Sequence, residues 1–197
     1  MTSRRLLAVV VALAGAVAGG FATAGPAQAA PAPAPAPVTV SAAGQPGLAG
    51  AAFEIVNRGT GKCADVAGKS LLNGALVHQW SCARGDNQLW IAQPVPSAPG
   101  YYSLINVNSG KCMDLRANND DEVFNGTLVQ QFECNPELYT SERWKLSFSP
   151  SAPGYLTFTT WIKGKCLDLN NGSGSNGARI QVWDCVGPIN NQLWAQR

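Results

Sequence analysis

The segment Gly61-Lys62-Cys63-Ala64-Asp65-Val66 returns as Gly110-Lys111-Cys112-Met113-Asp114-Leu115 and again as Gly164-Lys165-Cys166-Leu167-Asp168-Leu169. A second block follows each copy. In it an Asn-Gly pair (Asn73-Gly74, Asn125-Gly126, Asn176-Gly177) leads at one constant spacing to Trp80-Ser81-Cys82, Phe132-Glu133-Cys134 and Trp183-Asp184-Cys185. Each copy closes on a tryptophan, in Gln88-Leu89-Trp90, Glu142-Arg143-Trp144 and Gln192-Leu193-Trp194. A repeat of this kind constrains the fold more than any composition does, because three like units must build one core together.

Within each unit the pattern reads as β. Phe53-Glu54-Ile55-Val56, Tyr102-Ser103-Leu104-Ile105 and Tyr155-Leu156-Thr157-Phe158 are short stretches rich in β-branched and aromatic residues. Val77-His78-Gln79-Trp80 and its equivalents are too short for helices, and no part of the repeat region holds a helical period. Asn-Gly is the pair preferred in tight hairpin turns, so a hairpin is expected at each. Short strands repeated three times bury their apolar faces only against one another, which a closed three-fold β assembly achieves. Two pairings of the six cysteines respect the repeat. Pairing within units, Cys63–Cys82, Cys112–Cys134 and Cys166–Cys185, gives short, similar loops. The alternative, each second cysteine with the next unit's first, needs one bridge across nearly the whole domain, so the internal set is favoured.

Three segments follow along the chain. Residues 1–29 read as a secretory signal peptide: Arg4 and Arg5 lead an apolar run from Leu6 to Ala22, and Ala27-Gln28-Ala29 offers a small-residue cleavage site. Residues 30–50 read as a Pro/Ala-rich linker opening on Pro31-Ala32-Pro33-Ala34-Pro35, an extended spacer with no second domain in front of it. Residues 51–197 form the repeat domain, with units of about 52–98, 99–152 and 153–197. Removal of Arg4 and Arg5 cancels the formal charge of +2, leaving twelve basic and twelve acidic residues. A neutral domain lacks the electrostatic footprint of a nucleic-acid or anionic-membrane binder. The expected product is a secreted, extracellular monomer with no membrane attachment after cleavage.

The Cys-x-Asp, Asn-Gly-x-x-Val-x-x-aromatic-x-Cys and Gln-x-Trp series resembles the ricin B-chain lectin family, equivalently the family 13 carbohydrate-binding modules, over the domain from about residue 52 onward. The resemblance implies an all-β fold, a β-trefoil of three units with pseudo-three-fold symmetry, and up to three shallow sugar pockets in units conventionally called α, β and γ. A neutral sugar presents hydroxyls and a C–H patch, so its pocket needs a multiple acceptor, an aromatic face and amides that donate and accept. In the γ unit the resemblance makes Asp168 the central acceptor, Trp183 the stacking platform, Asn191 a hydroxyl partner, Gln181 the pocket edge, and Gln192 a brace for the aspartate. The α unit supplies Asp65, Trp80, Asn87 and Gln88, with His78 where γ has Gln181. The β unit supplies Asp114, Gln130 and Phe132, but Ser141 and Glu142 replace the Asn-Gln pair. Its longer loop, Asn118-Asn119-Asp120-Asp121-Glu122, is expected to crowd the pocket. The expected ranking is γ above α, with β well below both.

The same residues have plainer readings. The repeated aspartates can cap turns, and Trp90, Trp144 and Trp194 read as core. His78 is the only histidine, which excludes chemistry needing two. No metal or other cofactor is expected: the acidic loop lacks calcium-loop spacing and the cysteines lack paired short-range zinc spacing. Catalysis is not expected either, since a glycosidase needs two carboxyls about 5 to 10 Å apart and the repeated aspartates fall one per unit. The expected partner is carbohydrate, a galactose-, xylan- or arabinan-type glycan. The competing classes are a protease-inhibitor or other protein-binding trefoil, and an accessory subunit of a separate glycoside hydrolase.

Overall fold

A computed structural model describes residues 50–197. The expected signal peptide at 1–29 lies outside the described residues, as does all but the last residue of the linker at 30–50.

Each unit contributes four strands. The first holds β1 (Ala52–Asn57), β2 (Cys63–Val66), β3 (Val77–Trp80) and β4 (Leu89–Pro94). The second holds β5 (Tyr102–Asn106), β6 (Cys112–Leu115), β7 (Val129–Phe132) and β8 (Trp144–Phe148). The third holds β9 (Leu156–Thr160), β10 (Cys166–Leu169), β11 (Ile180–Trp183) and β12 (Trp194–Gln196). Each unit's first and last strands join antiparallel in the ring β1-β4-β5-β8-β9-β12, and β12 returns to β1. Closure leaves this six-stranded barrel without a free edge. The middle strands form three hairpins, β2-β3, β6-β7 and β10-β11. This is the β-trefoil.

The closing tryptophans are core residues as expected. Trp90, Trp144 and Trp194 are fully buried. Burial of an indole N–H without a partner is costly, and each is satisfied identically, donating Nε1–H to the carbonyls of Ala64, Met113 and Leu167 at 3.2, 3.0 and 3.0 Å. Each closing strand is thereby tied to its own unit's β2-type strand. Disulfides Cys63–Cys82, Cys112–Cys134 and Cys166–Cys185 close within units, on the internal pattern.

The Asn-Gly pairs differ from expectation. They are not the turns of two-residue hairpins; each lies late in the long connection between the paired strands and docks on the next unit. Gly74 N–H donates to Gln131 O at 2.9 Å, Gly126 N–H to Val182 O at 2.9 Å, and Gly177 N–H to Gln79 O at 2.8 Å. These glycines take φ of 80°, 96° and 81°, a region disfavoured for any residue with a Cβ. The connections are also held from behind. Gln131 Nε2 donates to Ser70 O and Leu72 O of the first unit, and Gln79 Nε2 to Ser173 O and Ser175 O of the third. The third unit has Val182 at that position, and there the Lys163 ammonium takes over, donating to Asp121 O and Val123 O of the second unit at 3.1 and 2.9 Å.

Candidate functional site

Strand register assembles the sites. Asp168 of β10 faces Gln181 of β11; Asp65 faces His78 and Asp114 faces Gln130 in the same way. Since alternate residues share a face, Gln181 and Trp183 point with Asp168 out of the barrel while Ile180 and Val182 enter the core. A single 3-10 turn after each hairpin, at Asp86–Gln88, Thr140–Glu142 and Asn190–Gln192, then brings in the remaining side chains.

In the γ unit the structure collects all five expected residues. Asp168 is buried and accepts from Gln181 Nε2 on Oδ1 at 3.0 Å, and from Asn191 Nδ2 and Gln192 Nε2 on Oδ2 at 2.6 and 3.1 Å. Burial raises its carboxyl above the ordinary value, and these amides pull it back down. Gln192 also donates to Asp184 O at 3.0 Å and accepts from Val186 N–H, which makes it the expected brace. Trp183 keeps 40% of its surface exposed beside the aspartate, as a stacking platform requires. Asn170 was not singled out from sequence: its Nδ2 donates to Gln181 Oε1 at 2.8 Å and so fixes which end of that amide faces Asp168. Its place directly after β10 was the available signal.

The α unit repeats the design with one exchange. Asp65 Oδ2 accepts from Asn87 Nδ2 and Gln88 Nε2, both at 2.8 Å. His78 Nε2 lies 3.0 Å from Oδ1, the position Gln181 holds in γ. The imidazole stacks on Trp80 with centroids 5.5 Å apart, so part of this exposed indole is already covered.

The β unit departs further. Gln130 Nε2 donates to Asp114 Oδ2 at 2.7 Å, and the Ser141 hydroxyl adds a second contact. Glu142 accepts Asn135 N–H on Oε2 at 2.8 Å, is completely buried, and has no hydrogen-bond partner for Oε1. Burial raises the Asp114 carboxyl; burial together with the nearby Asp114 charge pushes Glu142 up to about 7. The loop at 118–122 does not fill the pocket as expected. Asn119 caps its 3-10 turn by accepting from Asp121 N–H and Glu122 N–H, and Glu122 Oε2 accepts from Asn118 N–H and Nδ2–H at 2.9 and 2.8 Å. Drawn together, the loop becomes one wall of a cleft of about 670 Å³ that also exposes Phe132 and Tyr139.

Neighbouring units complete the pockets, a feature the sequence reading missed. A Cβ on Gly126 would touch Trp183 Cζ3 and Gln181 Oε1 at 4.0 Å, and one on Gly177 would touch Trp80 Cζ3 at 4.0 Å. The indoles of Trp80 and Trp183 therefore each rest against another unit's Asn-Gly turn. Among the described residues, the potential metal ligands that lie together are Glu54, Cys63 and Cys82. Both sulfurs are in the disulfide and Glu54 Oε2 is taken by Arg197 Nη2 at 2.8 Å, so no thiolate is offered.

The ricin-type β-trefoil lectin domain-like family model matches residues 44–132, 93–183 and 140–196. The chain is similar to a designed three-fold symmetric protein, ThreeFoil, at 32% identity and a TM-score of 0.65, covering 74% of this chain and 96% of that one. It is similar to an exo-β-1,3-galactanase from Clostridium thermocellum at 28% identity and a TM-score of 0.66; that match covers 74% of this chain and only 29% of the galactanase. A ricin B-like lectin from Macrolepiota procera, solved in complex with lactose, shares the fold at 17% identity and a TM-score of 0.63, covering 75% of this chain and 95% of the lectin. No curated protein matches.

Proposed function

Because this chain belongs to the ricin-type β-trefoil lectin domain-like family, we propose that it is a secreted, non-catalytic, monomeric lectin that binds neutral sugars of polysaccharides or glycans through its γ and α pockets. The observation that carries this reading is the γ constellation. A carboxylate offers about four acceptor positions, and three donors from Gln181, Asn191 and Gln192 fix Asp168. That leaves room for a sugar hydroxyl beside an indole that is 40% exposed to the C–H face of a ring. The α pocket offers the same acceptor and platform with His78 at its edge.

Export to an oxidising compartment agrees with the absence of free cysteines among the described residues. The non-catalytic reading agrees with one buried aspartate per unit. Where two carboxyls do converge, Asp114 with Glu142, the glutamate is completely buried and cannot reach a glycosidic oxygen. Galactose-, xylan- and arabinan-type glycans are the candidate ligands. Shallow single sites bind weakly and gain strength on polymers through multivalency. Retention on insoluble polysaccharides together with a glycan array tests the reading: binding to at least one neutral glycan is expected. A folded protein retained by none at high density overturns it.

A further inference from the structure

The three units allow the β pocket to be compared with two internal controls. Gln88 and Gln192 hold one posture. The side-chain oxygen accepts a backbone N–H (Ala83 at 2.7 Å, Val186 at 3.2 Å), and Nε2 donates both to the aspartate and to a backbone carbonyl, Ser81 O or Asp184 O at 3.0 Å. Glu142 reproduces the first half, accepting Asn135 N–H at 2.8 Å. Its other oxygen therefore takes the place of the controls' amide NH2, within the influence of the Asp114 charge, and it has no partner. Ser141 replaces the asparagine that donates to the aspartate in the other two units. The Ser141 hydroxyl still contacts Asp114, so what Asp114 lacks is the donor that Gln88 or Gln192 supplies, and the group in that place is a second acceptor. A carboxylate lining a cleft and backed by a fully buried second acceptor calls for a proton or a cation.

The surroundings favour a cation. The cleft above Asp114 has a volume of about 670 Å³ and presents the side chains of Phe132 and Tyr139, whose ring faces attract positive charge. Of the other charged groups, Asp120 and the exposed Arg116 both line the cleft, and Asp120 accepts the Thr140 hydroxyl at 3.3 Å. The Arg143 guanidinium is engaged by Pro136 O and Glu137 O.

We propose that the β cleft is a separate binding site for a sugar residue bearing a free ammonium group, with Asp114 as its direct partner and Glu142 as the buried charge behind it. The proposal rests on the lectin reading only in taking the ligand to be a sugar; the γ and α pockets are built for neutral hydroxyls. Charge balances on binding. In the empty cleft Glu142 keeps its proton up to about 7, and the incoming ammonium favours its loss, releasing up to about one proton to the buffer per ligand bound.

The test uses the full chain with Asp65→Ala and Asp168→Ala, which disables the neutral pockets, titrated at pH 6 with glucosamine oligomers and with their N-acetylated counterparts. Calorimetry in two buffers of different ionisation heat reads proton release. The expected result is binding of the amine form about tenfold or more tighter than the acetylated form, with protons released. Asp114→Ala should abolish it. Ser141→Asn with Glu142→Gln, which rebuilds the γ arrangement, should weaken it about tenfold or more. Equal affinity for the two forms, no proton release, or undiminished binding in the rebuilt variant overturns the proposal. Loss of all neutral-glycan binding by the parent chain with amine binding intact would instead sink the lectin reading and leave this one standing.

Discussion

Glu142→Gln should stabilise the domain at alkaline pH and do little in acid. The side chain is completely buried, accepts one backbone N–H on Oε2, leaves Oε1 without a partner and feels the Asp114 charge. Its carboxyl, ordinarily near 4.5, is held up to about 7, first by burial and then by the Asp114 charge. The unfolded chain therefore releases this proton near 4.5, whereas the fold keeps it until about 7. Between those values the native state binds the extra proton, so the stability this group supports is full below 4.5 and is lost as pH rises to about 7. The difference corresponds to about 3 kcal/mol against the ionised fold. Glutamine carries no such charge and places an NH2 where Gln192 donates to Asp168 at 3.1 Å. Urea unfolding with the disulfides intact should show the variant more stable by about 1 to 3 kcal/mol at pH 8, and nearly unchanged at pH 4.5, with equal m values. A gain of the same size at both pH values, or a loss at pH 8, would refute the argument that an ionising, partnerless carboxyl sits there.

Three further outcomes follow from the same geometry. Asp168→Ala leaves the amides of Gln181, Asn191 and Gln192 without their acceptor and should weaken retention on neutral polysaccharide by about tenfold or more; Asp114→Ala should leave it nearly unchanged, and the reverse order in an affinity-gel assay would contradict the ranking of pockets. Lys163→Met removes the ammonium from Asp121 O and Val123 O and should cost about 1 to 3 kcal/mol in denaturant unfolding; an unchanged midpoint would mean that the loop holds itself. Replacing Cys63 and Cys82 together by serine should lower stability by roughly 3 kcal/mol, from the loop closure that the disulfide removes from the unfolded chain, without changing the far-UV spectrum at low temperature.

The fold was legible because the repeat states it. Three copies of Cys-x-Asp, aromatic-x-Cys and Gln-x-Trp or its variant place the strands, the disulfides and the buried tryptophans. The γ and α constellations were legible for a related reason: antiparallel register puts Asp168 across from Gln181 and Asp65 across from His78. What stayed hidden depends on partners distant in sequence. Asn-Gly reads locally as a hairpin turn, and nothing in Asn73-Gly74 announces that its N–H will go to Gln131 O. The loop at 118–122 reads as added bulk, yet Glu122 folds it back on Asn118 and leaves a cleft. Glu142 reads as the replacement for the pocket glutamine, and nothing in Ser141-Glu142 announces that one of its oxygens is left without a partner. Only the positions of Gln88 and Gln192 in the other units reveal that its slot is buried.

The clamp on the long connections has a consequence for anyone who would rearrange this protein. Gln131 secures the loop of the unit before it, Gln79 secures that of the third unit, and Lys163 does the same work for the second with different chemistry. Each loop and its fastener thus belong to different repeats. Transplanting the third repeat whole into the first position would put Lys163 and Val182 where Gln79 fastens the loop of the third position. The interchangeable module is therefore a composite cut across repeats, a loop together with the neighbouring strand that holds it. Symmetrised or shuffled versions should be designed along that seam rather than along the boundaries the repeat suggests.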